Sequence, residues 1–121
     1  MATYNDTGYG TVTLAADTGE FIRVTAAGAI ASATQQDIGL TTRRGDSATS
    51  VSVAFANKTG TSKATAAGAI SLGAKVYTAA SGKVSATQAT GSFLRGIAMS
   101  AASSANDVIE ILNVVGDSAG A

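Results

Sequence analysis

The sequence predicts an all-β domain, either a small barrel or a two-layer sandwich. Three observations carry that expectation. Apolar residues recur at two-residue spacing in short runs, as half-buried strands require. Those runs are separated by clusters of Gly, Ser, Asn and Asp, the residues that turns select. And the hexapeptide Thr-Ala-Ala-Gly-Ala-Ile occurs twice, at 25–30 and 65–70, each time ahead of a stretch ending in a β-rich apolar run. The repeat suggests two related β modules, which is too few for a solenoid.

Residues 1–10 are polar, with two glycines and two tyrosines and no periodicity, and read as an extended N-terminal arm. Residues 11–15 alternate Val12 and Leu14 against threonines and read as a strand. Asp17 to Glu20 supply turn chemistry, so residues 21–25 are expected to return as a second strand and close a hairpin. Residues 31–36 fit a short helical turn. Residues 38–42 read as a strand, 43–46 as a turn, and 49–56 as a strand with Val51, Val53 and Phe55 on one face. Asn57 to Gly60 close the first module, and the second is expected to start at Lys63.

There, residues 74–78 form a strand with Val76 and Thr78 on one face. Residues 80–82 are a turn whose Gly82 is free to take positive φ, and 83–86 return. Residues 93–100 are a strand in which Gly96 marks a bulge or a close backbone approach. Residues 108–115 are the last strand. Aligning 39–55 with 96–112 matches length and character, with strand phases one residue apart. The domain organisation read here is an arm at 1–10, one β domain at 11–116 and a flexible tail at 117–121.

Composition excludes several functions. The 121 residues carry no net charge, and 13% are charged, against about 25% in a typical soluble domain. That gives no basic footprint for nucleic acid. No apolar run reaches the ~20 residues of a membrane span. The first residues show neither a basic nor an apolar signal segment. Cys and His are both absent, which removes disulfides, thiol chemistry and the commonest metal ligand and general base. Alanine makes up about a fifth of the chain and buries little area per residue. The core should therefore be thin, with part of the stability supplied by a partner or by self-association.

Motifs for chemistry are weak. The segment from Gly68 to Lys75 looks like a phosphate loop, but Ala74 separates Gly73 from the lysine and Val76 follows it, so a turn and strand start is the better reading. Gly8-Tyr-Gly10 is half of a dinucleotide fingerprint with no helix behind it. The carboxylates Asp6, Asp17, Glu20, Asp37, Asp46, Asp107, Glu110 and Asp117 are scattered and read as solvated turn caps. Arg43 and Arg44 read as a solvated turn. No catalytic, metal-binding or cofactor-binding residues are assigned, and no cofactor is expected.

The second module carries a resemblance. The ordered series Gly73-Ala-Lys-Val-Tyr77, Ser81-Gly-Lys-Val84, Gly96-Ile-Ala-Met99 and Asn106-Asp-Val-Ile-Glu-Ile111 resembles the capsid cement, or head decoration, proteins of tailed bacteriophages. Some relatives carry a recombinase label. Nothing here supports it: there is no phosphate loop, basic groove or α/β alternation. The match is good over 63–114 and loose over 11–56. It implies a β-tulip-like or barrel fold and a structural, non-enzymatic role on the outer surface of the expanded capsid. The implied partners are the major capsid protein, whose neighbouring subunits would be bridged, and the chain itself, as a homotrimer at three-fold and quasi-three-fold positions. Nucleic acid and membrane are not expected partners. The protein would be made in the host cytoplasm and reside in the virion. This chain departs from the family in its Ala/Thr richness and its few acidic residues near Ser103 and Asn106.

Within the arm, Ala2, Thr3, Tyr4, Asn5 and Tyr9 are the expected shell-contact residues, the tyrosines serving as apolar anchors. The alternative reading is a carbohydrate- or receptor-binding module of a virion surface, which needs clustered aromatics and polar groups. An enzymatic reading would need a carboxylate pair or a Ser/Lys dyad, and neither is recognisable.

Overall fold

A computed structural model describes residues 8–56 and 60–114. The described residues form nine strands: β1 Tyr9–Thr13, β2 Arg23–Val24, β3 Gly39–Thr41, β4 Ser50–Phe55, β5 Thr61–Thr65, β6 Lys75–Thr78, β7 Val84–Ser85, β8 Leu94–Ala98 and β9 Val108–Asn113. A 3₁₀ turn spans Ala80–Gly82. The strands make two open sheets, ordered β1-β4-β3-β2 and β5-β9-β8-β6-β7. Every strand pair is antiparallel. Of the two architectures expected, the sandwich is the one formed; neither sheet closes into a barrel.

The larger apolar cluster joins Leu40 of the four-stranded sheet to Ala64, Ile70, Val76, Val84, Ala98, Ile109 and Ile111 of the five-stranded half. A second cluster gathers Val12, Leu14, Val24, Val51 and Val53. Few large apolar side chains are buried, and Arg23 heads the fully buried residues by volume. Leu72 is exposed, and Leu112 is on the surface. The core is as thin as the alanine content implies.

The expected hairpin of residues 11–15 with 21–25 does not form. β1 instead pairs with β4, Val12 lying opposite Val51, and β2 pairs with β3. The reason is local. Thr18 and Gly45 exchange both backbone hydrogen bonds at 2.9 Å, which pins the intervening loop to the 43–46 turn and prevents a tight reversal. Phe21 then takes φ of 57° and turns the chain into β2. Residues 31–36 contain turns and no helix. β5 begins before Lys63 and is the strand that sequence reasoning missed. Its buried residues are Ser62, Ala64 and Thr65, two of them hydroxyl-bearing, so it carries no apolar stripe.

The two hairpins aligned by sequence are structural counterparts. Gly39 lies opposite Phe55 in β3–β4, and Gly96 opposite Asn113 in β8–β9. A methyl on Gly39 would meet the Ala54 carbonyl oxygen at 2.3 Å, and one on Gly96 the Leu112 oxygen at 2.4 Å. Each glycine thus sits against the carbonyl preceding its partner. The shift from Phe55 to Asn113 reflects a second hairpin longer by one residue. Arg95 is the extra residue of a bulge, since Val76 lies opposite Gly96 while Tyr77 lies opposite Leu94. Both readings of Gly96, bulge and close approach, are met.

The hexapeptides are not counterparts. The first follows β2, and the second begins at the last residue of β5. Gly28 has φ of +85°, and a methyl there would meet the Thr13 carbonyl oxygen at 1.9 Å; Gly68 has no atom within 4 Å. Ile30 is surface-exposed, whereas Ile70 is buried.

Candidate functional site

The sheets part at one side to leave a groove. Tyr9, Ala54 and Leu40 are cross-strand neighbours in one row, so their side chains share a face. Exposure rises along that row from 1% at Leu40 through 6% at Ala54 to 43% at Tyr9. The row runs from the packed core to an open edge. Across from it stand Thr61, Ser62 and Lys63 of β5, and the enclosed space is about 470 Å³. Phe21, Thr41, Thr42 and Glu110 complete the walls.

Phe21 is held in place from both sides. Its N–H donates to the Thr41 carbonyl at 2.8 Å, and its own carbonyl accepts from the Thr65 N–H at 3.1 Å. A bulky residue in the left-handed region costs on the order of 1–3 kcal/mol, and such strain gathers at functional sites. The Lys63 ammonium lies 5.7 Å from the Phe21 ring centroid, within cation–π range. Lys63 and Glu110 are cross-strand neighbours, and the Glu110 carboxylate accepts from the Thr61 hydroxyl at 2.6 Å.

A second constellation is structural. Asp37, in the segment before β3, lies between two buried arginines. Arg23 Nη1 is 3.4 Å and Arg95 Nε 3.3 Å from Asp37 Oδ1. Arg23 also donates to the carbonyls of Ala31, Ser32 and Gln35 on its own half and of Ala79 and Lys83 on the other. It thereby ties the two halves together. Burial pushes its guanidinium pKa below the ordinary arginine value, and Asp37 works in the opposite direction. Arg95 donates to Asn113 Oδ1 at 3.1 Å, and its Nη2 has no partner.

The reading of Asp37 as a solvated turn cap is corrected by this burial. The available signal was its counterparts: Arg23 stands between Ile22 and Val24, and Arg95 beside Leu94, inside apolar strands. The cap reading holds for Asp17, which accepts from the Ser47 N–H at 2.8 Å. It holds also for Asp107, which accepts from the N–H groups of Ser103 and Ser104. Those bonds, with that from the Ser103 hydroxyl, hold the Asp107 carboxyl below its usual range. Gly73 closes a turn at positive φ before β6, in place of a phosphate loop.

Of the expected shell-contact residues, Ala2, Thr3, Tyr4 and Asn5 lie outside the described residues. Tyr9 is the first residue of β1 and lines the groove. No group of three or more potential metal-ligating side chains occurs among the described residues.

The fold is a two-sheet antiparallel domain, with a groove lined by aromatic, hydroxyl and charged groups. More particularly, the phage cement protein family model matches residues 4–112, and the chain belongs to that family. No curated protein matches it. Its fold is similar to the head fiber gp8.5 N base of bacteriophage phi29. The two share 12% identity and a TM-score of 0.71 over 90% of this chain and 95% of that one.

Proposed function

We propose that this chain is a structural, non-catalytic protein of a bacteriophage virion that sits on the outer surface of the expanded capsid and bridges neighbouring major capsid subunits. The family match over residues 4–112 carries this reading. Cement membership and the head-fiber likeness support a capsid-associated role; bridging is the further step proposed here. Multivalent seating on a lattice makes weak individual contacts sufficient, which suits a neutral domain with little charge.

Residues 2–5 are the proposed shell contact. Tyr9, anchored in β1, fixes where this segment leaves the domain. Seven residues ahead of Gly8 reach at most about 23–25 Å when extended. The chain associates with itself as a trimer through the outer face of the five-stranded sheet. There Ile97 pairs with Leu112 across β8 and β9, and exposed Met99 and Val108 surround Glu110 on the same face, beside the groove wall. Contiguous exposed apolar patches mark interaction surfaces.

The test is occupancy on undecorated expanded capsids. The intact chain should bind stoichiometrically, and deletion of residues 2–5 should release it. Equal occupancy after deletion would remove the arm from the interface. An intact chain without capsid affinity would remove the whole reading.

A further inference from the structure

We propose that the groove receives the Leu72 turn of a second copy of this chain, so that copies join head to tail. The proposal rests on the trimer reading above and names the contact that would close the ring. Its two halves are a projecting apolar tip and a recess with aromatic walls, on different parts of one surface.

The tip is residues 71–74. The Ala74 N–H donates to the Ser71 carbonyl at 3.1 Å, and Gly73 takes φ of +84°, as the third position of a type II turn requires. The Gly73 N–H donates to the Ala98 carbonyl at 2.7 Å, which fixes the turn against β8. A methyl added at Gly73 would meet no atom within 4 Å, so the tip stands clear of its own domain. Leu72 takes the second position, where proline is common, and is 68% exposed. It has apolar company: Met99, one residue past Ala98, is also exposed. Residues 64–74 and 96–106, joined by the paired Ile70–Ala102 bonds, carry no charge. An end of this kind is buried without the desolvation cost of an ion.

The groove suits an apolar insert. Tyr9, Phe21 and Ala54 line it, and its space is about 470 Å³. Its hydroxyls are already engaged. Thr41 donates to the Gly19 carbonyl at 2.8 Å, Thr42 to the Ser52 carbonyl at 3.0 Å and Thr61 to Glu110 at 2.6 Å, while Ser62 accepts from Asn113 at 2.9 Å. A leucine therefore enters without stranding a polar group. Lys63 and Glu110 supply a charged rim, as protein interfaces place around an apolar centre. The bonds that hold Phe21 on both sides lower the ordering cost of binding.

Tip and recess of one chain stay apart. β6, which the tip precedes, stands three positions from β5 in the sheet, about 14–15 Å away. They meet only between copies. The recess also adjoins the face given to self-association, since the Met99 N–H donates to the Glu110 carbonyl at 2.7 Å. A tip-in-recess contact is heterologous, and such contacts close into rings where the rotation allows. Three copies then share three identical contacts.

Sedimentation velocity on the full chain, from about 1 μM to 1 mM, tests this. The intact chain should reach the trimer mass. Leu72→Asp spoils the tip and leaves the recess; Tyr9→Asp does the reverse. Each should weaken association by about tenfold or more and keep the circular dichroism of the intact chain. Mixed, the two variants should form a one-to-one dimer and go no further, because one good tip and one good recess remain. Leu72→Met keeps an apolar tip and should stay trimeric. An intact chain that stays monomeric overturns the proposal together with the trimer reading. A trimer that survives Leu72→Asp or Tyr9→Asp overturns the proposal alone and leaves the trimer to the β8–β9 face. A mixture that stays monomeric overturns it as well. If Leu72→Asp remains trimeric but loses capsid occupancy, the tip belongs to the shell and the proposal falls.

Discussion

Replacing Asp37 by Asn keeps the shape of the side chain and removes the one negative charge between Arg23 and Arg95. The intact cluster already carries two guanidinium groups against one carboxylate, with side-chain exposures of 0% for Arg23, 3% for Arg95 and 1% for Asp37. An asparagine Nδ2 would also present donors to donors. Arg23 would keep its carbonyl partners but lose its counter-charge. Arg95 would keep Asn113 and a neutral amide oxygen in place of a carboxylate, with Nη2 already unpartnered. Breaking a buried pair from one side costs about 3–5 kcal/mol, a large share of the ~5–15 kcal/mol a domain of this kind possesses. At about 4 °C per kcal/mol, intermediate between small and large domains, the melting temperature should fall by roughly 12–20 °C. Urea denaturation followed by circular dichroism gives the free energy, and a thermal scan gives the midpoint. Because the pair is shielded from solvent, the loss should persist from about 0.05 to 1 M NaCl, where surface pairs are screened away. A loss below about 1 kcal/mol, or one that vanishes in high salt, would refute the argument that the cluster joins the halves as a buried unit.

The two hexapeptide glycines should respond oppositely. Gly28→Ala should destabilise by more than about 1 kcal/mol, since it combines positive φ with a backbone clash, whereas Gly68→Ala should be neutral or stabilising by up to about 1 kcal/mol; denaturation midpoints decide. Gly39→Ala and Gly96→Ala should each cost about 1–3 kcal/mol, and similar losses would confirm their equivalence, while a large disparity would contradict it. Asp107 has a depressed pKa in the folded chain. Its stabilising contribution is therefore present above the unfolded value of about 3.9 and lost as pH falls through the folded value. Asp107→Asn should flatten the acid limb of a melting-temperature profile between about pH 2 and 5, and an unchanged limb would show that the Ser103 and Ser104 bonds do not contribute.

Strand positions were legible wherever large apolar residues alternate. Val51, Val53, Val76, Ile109 and Ile111 mark their strands, and the bounds found differ from those expected by a residue or two. Partnership was less legible. β1 has the right phase for a hairpin with residues 21–25, but long-range pairing with β4 puts Val12 against Val51, and the Thr18–Gly45 bridge removes the alternative. Alternation cannot report a bridge between distant loops. β5 was invisible because its inward positions are Ser62 and Ala64. The groove was illegible for the same reason: one wall of it is β5, and Phe21 reaches it through a left-handed backbone that no local pattern demands. The buried triad left only a trace, arginines inside apolar strands, and their shared carboxylate comes from a loop.

The true internal correspondence lies in the hairpins β3–β4 and β8–β9, where each glycine admits the carbonyl before its strand partner. The difference between them is informative. The second hairpin is one residue longer, and β8 also carries the bulge at Arg95. Because a bulge re-aims side chains, Arg95 can be buried toward Asp37 while Leu94 and Ile97 stay half-exposed. The four-stranded sheet needs no such device, since Arg23 enters from an edge strand and reaches across to the carbonyls of Ala79 and Lys83. One side of the sandwich is therefore fastened by charge and hydrogen bonds. On the other, β1 diverges from β5 and leaves the wedge that begins at Leu40 and ends at Tyr9. A thin, alanine-rich core could not fill that wedge with large side chains. The same composition that makes the domain small at its centre leaves a groove at its edge.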